Sequence, residues 1–186
     1  MAATNYSKLL KKDSKNYITT ALLQLLETYD FNDLKVSQVV KKAGVSRMAF
    51  YRNFDSLEQV LTQYFEDKIG NAFMMVKSDI STAEKQAWML DFFEKYTGLI
   101  KLSIRCNFEY VIRKVFDQQM IEFYRDTLKD VDMDVAQRNY WANFMSSGVY
   151  AIWREWVIKD QREPLSEVHK LIGILQNSTL QALTQL

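Results

Sequence analysis

The sequence is short of the residues that interrupt helices. Its 186 residues include one proline and five glycines, too few for the many tight turns of a β-sandwich. Proline and glycine are the least favourable residues inside a helix, so their scarcity suits long helices. Together with an apolar fraction of 48%, it predicts an all-α protein with a packed core.

Residues that carry catalysis or bind metals are equally scarce. The single cysteine, Cys106, cannot form an internal disulfide, which is typical of a protein in a reducing cytosol. His169 is the only histidine, and no Cys, Asp or Glu cluster lies at ligand spacing around it, so we expect no metal site and no cofactor. The chain also has no glycine-rich phosphate loop. These absences argue against an enzyme.

Long apolar runs are absent as well. The longest uncharged run, residues 139–153, is shorter than the roughly 18–20 apolar residues of a membrane span. The N-terminus has no apolar stretch of the kind found in a signal peptide. We therefore expect a cytoplasmic protein with no membrane partner.

Charge is balanced overall but unevenly distributed. The formal net charge is +1, yet residues 1–54 hold nine Lys or Arg against four Asp or Glu. Residues 55–186 hold fifteen basic and nineteen acidic residues. A basic N-terminal third is typical of a DNA-binding head on a larger body, although chance can produce the same asymmetry.

The stretch Val36–Phe54 has the signals of two short helices joined by a tight turn. Apolar residues recur at i, i+3, i+4 and i+7 from Val36, which indicates one buried helical face. Gly44 can end this helix with a positive φ, and Ser46 can cap a second helix over residues 47–53. Two helices joined in this way form a helix-turn-helix, whose second helix can enter the DNA major groove.

These residues resemble the TetR family of transcriptional regulators. The resemblance rests on the runs Ala43-Gly44-Val45-Ser46, Phe50-Tyr51-Arg52-Asn53-Phe54 and Asp55-Ser56-Leu57-Glu58. Leu57 departs from the family pattern, which has at this position a lysine that tends to touch a DNA phosphate. The resemblance implies a homodimer that binds a palindromic operator in double-stranded DNA, and a body that takes a small hydrophobic or aromatic effector.

The predicted fold is all-α, with about nine helices in two parts. An N-terminal three-helix head over residues 10–54 contains the helix-turn-helix and continues into a linking helix from residue 55. Residues 55–186 form a helical body for effector binding and dimerisation.

Nine residues of the head are predicted to contact DNA. Arg47, Met48 and Ala49 are expected to face base edges, since arginine is the usual reader of guanine. The resemblance implies phosphate contacts from Tyr51 and Asn53. The remaining candidates are Lys35, Ser37, Ser46 and Arg52.

The aromatic residues of the body could line the effector pocket that the resemblance implies. An aromatic stripe at helical spacing is more often plain core, and that alternative stays open. The candidate pocket residues are Trp88, Phe92, Tyr96, Phe108, Ile112, Asn143, Phe144 and Ser147.

The last two helices are the predicted dimer surface. The run over residues 139–153 lacks charge on every side, so we expect this helix to be buried on more than one face. A core within one chain is the alternative reading of the same pattern. The interface candidates are Ala142, Met145, Val149, Trp153, Val168, Ile172, Leu175 and Thr179.

The sequence thus favours a sequence-specific, nucleoid-associated regulator of transcription, with ligand-responsive repression preferred. An activator, or a regulator without a ligand, fits the same residues. The rival from another class is a helical interaction protein that keeps the fold without reading DNA, and Leu57 and the near-neutral net charge support it. A steep dependence of DNA binding on salt would separate the two.

Overall fold

A computed structural model describes the backbone of residues 2–184 and the side chains of residues 13–81 and 83–184. Over the described backbone the regular structure is eight α-helices and one 3-10 turn, with no strand, which confirms the all-α prediction. None of the described helices is both long enough and apolar enough to cross a membrane. The elements are α1 (Ala2–Leu26), the 3-10 turn (Phe31–Asp33), α2 (Val36–Ala43), α3 (Arg47–Tyr51), α4 (Leu57–Lys77), α5 (Thr82–Arg105), α6 (Glu109–Thr127), α7 (Val135–Ile158) and α8 (Leu165–Thr184).

The chain folds into two compact units. Unit 1 comprises the residues up to Asp67 together with Leu102–Ile112, and unit 2 comprises Lys68–Lys101 and the residues from Arg113 onward. We call Leu102–Ile112 the returning segment. Helices α4, α5 and α6 therefore each contribute residues to both units. The predicted boundary at residue 55 placed all later residues in the body, whereas the returning segment belongs to unit 1.

Unit 1 is built around a three-helix core. Helix α1 packs against α2 and α3, and α2 packs against α3. Ile18, Leu22 and Leu26 recur every four residues on α1 and are fully buried, as expected for one apolar helical face. Val39 of α2 and Phe50 of α3 are also fully buried, so each helix of the motif is attached to the core by at least one apolar side chain.

The returning segment completes this core. Phe108 is fully buried, with its ring centroid 6.2 Å from that of Phe31 and 6.4 Å from that of Phe65. The Phe31 backbone N–H donates to the Cys106 carbonyl at 3.0 Å. The buried Cys106 thiol donates to the Leu26 carbonyl at 3.2 Å. The segment thus supplies both apolar packing and hydrogen bonds to the end of α1 and the 3-10 turn.

Solvent-exposed side-chain hydrogen bonds also connect the returning segment to the rest of unit 1. Asn107 has a φ of +60°, and its side-chain amide donates to the Asp30 carboxylate at 2.5 Å. Hydrogen bonds from the Asn32 backbone N–H and from Asn107 lower the pKa of Asp30. The Tyr110 hydroxyl donates to the Glu58 carboxylate at 3.1 Å, and partial burial together with that carboxylate raises the pKa of Tyr110.

Unit 2 has its own aromatic core, in which α7 packs against α8. The Trp141 Nε1–H donates to Thr179 Oγ1 at 3.0 Å, and the Trp153 ring lies 5.2 Å from the His169 ring. Because residue numbers rise along α7 as they fall along α8, the two helices are antiparallel. The buried core residues are Phe93, Met120, Tyr124, Leu128, Trp141, Ala142, Met145, Val149, Trp153, Trp156, Val157, Leu165, Val168 and Ile172.

We predict that Phe108→Ala destabilises the protein by about 3–5 kcal/mol, because it removes a fully buried ring from the core of unit 1. Urea denaturation followed by circular dichroism, at fixed protein concentration, measures the change. Tyr17→Ala is the control, since Tyr17 of the same unit is 60% exposed and its loss should cost about 0.5 kcal/mol or less. Equal midpoints for the two variants would show that the returning segment is not part of the core.

Candidate nucleic-acid interface

The turn between α2 and α3 forms as its sequence predicts. Gly44 adopts the left-handed conformation, with φ 65° and ψ 28°. Its N–H donates to the Lys41 carbonyl, and the Val45 N–H donates to the Val40 carbonyl at 3.1 Å. A side chain at Gly44 would be strained at this φ. Glycine therefore ends α2 and sets the direction in which α3 begins.

Helix α3 is stabilised by a cap at its first turn and by buried aromatic side chains on one side. Ser46 Oγ accepts the Ala49 backbone N–H at 3.1 Å, which is the predicted cap. Phe50 is fully buried and Phe54 is 3% exposed, with their ring centroids 6.0 Å apart. The helix ends at Tyr51, two residues before the predicted end. These contacts leave the opposite side of α3 in solvent.

The solvent side of α3 carries four of the predicted DNA contacts. We call Arg47, Met48, Tyr51 and Arg52 the outward arc. All four are exposed, Met48 by 83% and Tyr51 by 51%. Their spacing of i, i+1, i+4 and i+5 places them on one side of the helix. Ala49 is half-buried at the edge of this arc.

The other predicted polar contacts are exposed near the ends of the motif helices. Lys35 and Ser37 lie at the start of α2, and both are exposed. Ser46 is exposed too, although its hydroxyl already accepts the N–H that caps α3. Lys41 and Lys42, which are not among the nine predicted contacts, are exposed in the last turn of α2. Their position in the basic N-terminal third was the sequence signal that could have predicted them as phosphate contacts.

Asn53, a predicted phosphate contact, makes a hydrogen bond within the chain. The side chain is 9% exposed, and its Nδ2 donates to the Ala49 carbonyl at 2.6 Å. In the chain without DNA this amide therefore satisfies a carbonyl at the end of α3, and its phosphate contact stays a prediction. The motif alone does not distinguish these two uses of an asparagine.

Leu57, where the family pattern has lysine, belongs to the core of unit 1. It is 9% exposed, so an apolar residue at this position adds buried area. The start of α4 is held instead by Ser56, whose hydroxyl accepts the Gln59 N–H at 3.1 Å. The Gln59 side chain in turn accepts the Asp55 N–H at 2.5 Å. The side chains of Ser56 and Gln59 therefore satisfy two backbone N–H groups at the start of α4.

The predicted pocket residues are not brought together as one set. Phe108 and Ile112 are buried in unit 1, and their part in a pocket stays a prediction. Trp88, Phe92 and Tyr96 form a half-buried stack along α5 in unit 2, with ring centroids 5.7 and 4.8 Å apart. The remaining three lie exposed on α7 and are Asn143, Phe144 and Ser147.

Most of the predicted dimer contacts are buried inside a single chain. Six of them are at most 9% exposed and belong to the core of unit 2. They are Ala142, Met145, Val149, Trp153, Val168 and Ile172. Thr179 bonds to Trp141 within the chain, and Leu175 alone of the set is well exposed, at 40%. The structure therefore corrects the inner six from interface to core, since the apolar pattern of α7 continues around both sides of the helix.

A different apolar surface lies on the other side of α7 and α8. Tyr140 is 78% exposed, Phe144 65%, Leu171 48% and Ile174 53%. The Trp141–Thr179 and Trp153–His169 contacts set the register of the antiparallel pair, so Phe144 is level with Leu175 and its neighbours. After Phe144, on the same side of α7, lie exposed small residues, Ser147, Gly148 and Ala151. We call this surface the outer face.

His169 sits against the core of unit 2, where burial lowers its pKa. Its nearest ring is that of Trp153. Within the part of the chain whose side chains are described, no three His, Cys, Asp or Glu residues form a group that could hold a metal ion.

Comparisons with known proteins agree with this arrangement. Residues 18–66 match the family model for bacterial regulatory proteins of the tetR family, and residues 87–178 match the model for a transcriptional regulator C-terminal region. None of the curated proteins matches the sequence significantly. The solved structure of the dihydroxyacetone kinase operon activator DhaS is similar, with a TM-score of 0.54 and 18% identity, covering 91% of this chain and 97% of that chain. At this identity the likeness shows the fold alone.

We predict that Arg47→Ala weakens binding to the preferred DNA sequence by about 1–3 kcal/mol and relaxes the choice of base at one position of each half-site. Fluorescence anisotropy against the preferred sequence and its single-base variants measures both effects. Arg162→Ala, which removes an exposed arginine of unit 2, is the control for the loss of one positive charge. If Arg47→Ala bound all these sequences as the unaltered protein does, Arg47 would not read a base.

Proposed function

Because the chain belongs to the TetR family of bacterial regulatory proteins, and is therefore a DNA-binding transcriptional regulator, we propose that it is a ligand-responsive repressor. In this proposal a homodimer binds a palindromic operator and releases it when an effector binds. The observation that carries the proposal is the outward arc of α3, held in solvent by the buried Phe50 on the opposite side.

The outward arc has the composition of a surface that enters the major groove. Two arginines flank Met48 and Tyr51, and all four side chains are exposed. Arginine can donate two hydrogen bonds to guanine, and phenol and guanidinium groups can bind phosphates beside the groove. Exposed lysines elsewhere in the motif, Lys35, Lys41 and Lys42, add sequence-independent attraction to the backbone.

The outer face supports pairing with a second copy of the chain. Its apolar residues are flanked by Ser147, Gly148 and Ala151, which let two helices approach closely. In the proposed dimer α7 and α8 of each copy form a four-helix interface. A two-fold axis then presents two α3 helices to half-sites about 34–36 Å apart, which is why the operator is expected to be palindromic.

The effector in this proposal is a small hydrophobic or aromatic molecule that binds in unit 2. The half-buried stack of Trp88, Phe92 and Tyr96 supports it, because such rings bind flat apolar ligands. Helices α4, α5 and α6 contribute to both units, so a ligand that favours one packing of these helices also favours one arrangement of unit 1. Release of DNA is then a population shift towards that arrangement.

Activation of transcription is the second candidate. The observation that favours it is the similarity of the fold to DhaS, which is named as an operon activator. The two functions share the same DNA contacts, and the outcome depends on where the operator lies relative to the promoter. Deleting the gene raises the transcript controlled by the operator if the protein represses, and lowers it if the protein activates. In either case we expect the protein to act on the chromosome in the cytoplasm.

We predict tight and salt-sensitive binding to DNA from upstream of the protein's own gene. Fluorescence anisotropy at 50 and 200 mM salt, with random DNA as control, measures it. If each dimer neutralises six or more phosphates, affinity falls by roughly a thousandfold or more between these salt concentrations. A preference for the upstream DNA supports the regulator. If binding to both DNAs is weak and equal, the next experiment is selection of bound sequences from a random DNA pool. Failure to enrich any sequence supports the alternative that the chain is a helical interaction protein.

We predict that Phe144→Glu on the outer face converts the dimer into monomers, because it places a charge in an apolar contact. Light scattering during size-exclusion chromatography measures the mass. Leu90→Glu is the matched control, since Leu90 is a 49% exposed apolar residue of α5 in the same unit. A dimer that survives Phe144→Glu as well as Leu90→Glu would place the interface elsewhere.

A further inference from the structure

Met48 stands out among the apolar residues of the protein. Its side chain is 83% exposed, the highest value among the large apolar side chains of the described residues. So exposed a side chain contributes little to the core of unit 1, and any polar residue could occupy the position without loss of packing. The fold therefore gives no reason for an apolar residue here.

The surroundings of Met48 indicate what it meets in a complex. Arg47 and Arg52 are exposed on either side of it on the outward arc, so the surface is complementary to a polyanion rather than to an apolar protein partner. Phe50 holds the helix from behind, which fixes the direction in which Met48 points. When the outward arc enters the major groove, Met48 faces base edges.

The major groove offers one apolar group to such a side chain. Most other groups on the base edges there are hydrogen-bond donors or acceptors, and the C5-methyl group of thymine is the only apolar group larger than a single C–H, such as that at C5 of cytosine. A thioether side chain cannot satisfy the donors and acceptors, and covering them without a partner is unfavourable. Against a methyl group, in contrast, it buries apolar surface, and its three rotatable bonds let it fit an irregular contact.

We propose that Met48 selects a thymine in each operator half-site by contact with the thymine C5-methyl group. This inference rests on the proposed function, because it requires that α3 reads DNA. It assigns a base to one residue of the arc. In the proposed complex arginine recognises a base through hydrogen bonds, and Met48 recognises thymine through apolar contact.

The size of the effect follows from the area of one methyl group. Burial of a CH₂-sized group changes affinity by about fourfold. In a palindromic site both half-sites contribute, and replacement of both thymines changes affinity by about fifteenfold if the two contacts are independent.

The experiment uses the full-length protein and an operator selected from a random DNA pool. Each thymine is replaced in turn by deoxyuridine, symmetrically in both half-sites, which removes the methyl group and keeps the base pair. Fluorescence anisotropy then gives the affinity ratio between thymine and uracil operators. We expect one symmetric position with a ratio of about fifteen for the unaltered protein, and a ratio near one at that position for Met48→Ala.

Two further variants separate a direct contact from other causes. Met48→Leu keeps an apolar side chain and should retain most of the ratio. Met74→Ala removes a methionine of α4 that is 62% exposed in unit 2, and it should retain the full ratio. Comparing the thymine-to-uracil ratio of one variant with that of another also cancels any change that uracil makes to the flexibility of the DNA.

The outcomes distinguish this inference from the proposed function. A specific operator with no uracil-sensitive position, or with the same ratio in Met48→Ala, overturns the role of Met48 and leaves DNA reading intact. In the second case the methyl group is read by another residue. Failure of the full-length protein to enrich any sequence overturns the proposed function, and this inference with it.

Discussion

A helix of five residues cannot hold itself in place in water, and this constraint governs the DNA-binding end of the protein. Nucleating a helix is unfavourable, and α3 is too short to recover the cost through its own hydrogen bonds. Its position therefore depends on the burial of Phe50, with Ser46 closing the first turn and Gly44 setting the chain direction. Once Phe50 is inside, helical geometry alone decides that the outward arc faces solvent.

The returning segment shows that the head is not made by the N-terminal residues alone. Phe108 fills space between Phe31 and Phe65, and Cys106 hydrogen-bonds the end of α1. Leu26, which Cys106 bonds, lies 80 residues earlier in the chain, and Asp30, which Asn107 bonds, lies 77 residues earlier. Residues from the loop between α5 and α6 are thus as much a part of unit 1 as the helix-turn-helix, and a change in that loop bears directly on the core that supports α3.

Helix α7 illustrates how one composition can serve two purposes. A run without charge over residues 139–153 has one face, with Met145 and Val149, in the core of unit 2. The other face, with Tyr140 and Phe144, is exposed in the single chain. Burial of one face agrees with the prediction, burial of the second face stays a prediction, and the residues chosen for the partner were those of the inner face. The proposed dimer interface accordingly moves to the outer face.

The sequence by itself determined the features that depend on neighbouring residues. The all-helical class, the positive φ of Gly44 and the Ser46 cap each follow from spacings of a few residues, where local sterics and hydrogen bonds dominate. Only the tertiary structure decided the features that depend on distant partners. Phe108 joins unit 1, and α7 buries one apolar face rather than the other. Packing among residues far apart in the chain selects these outcomes, because helical periodicity says which residues share a face and not what that face meets.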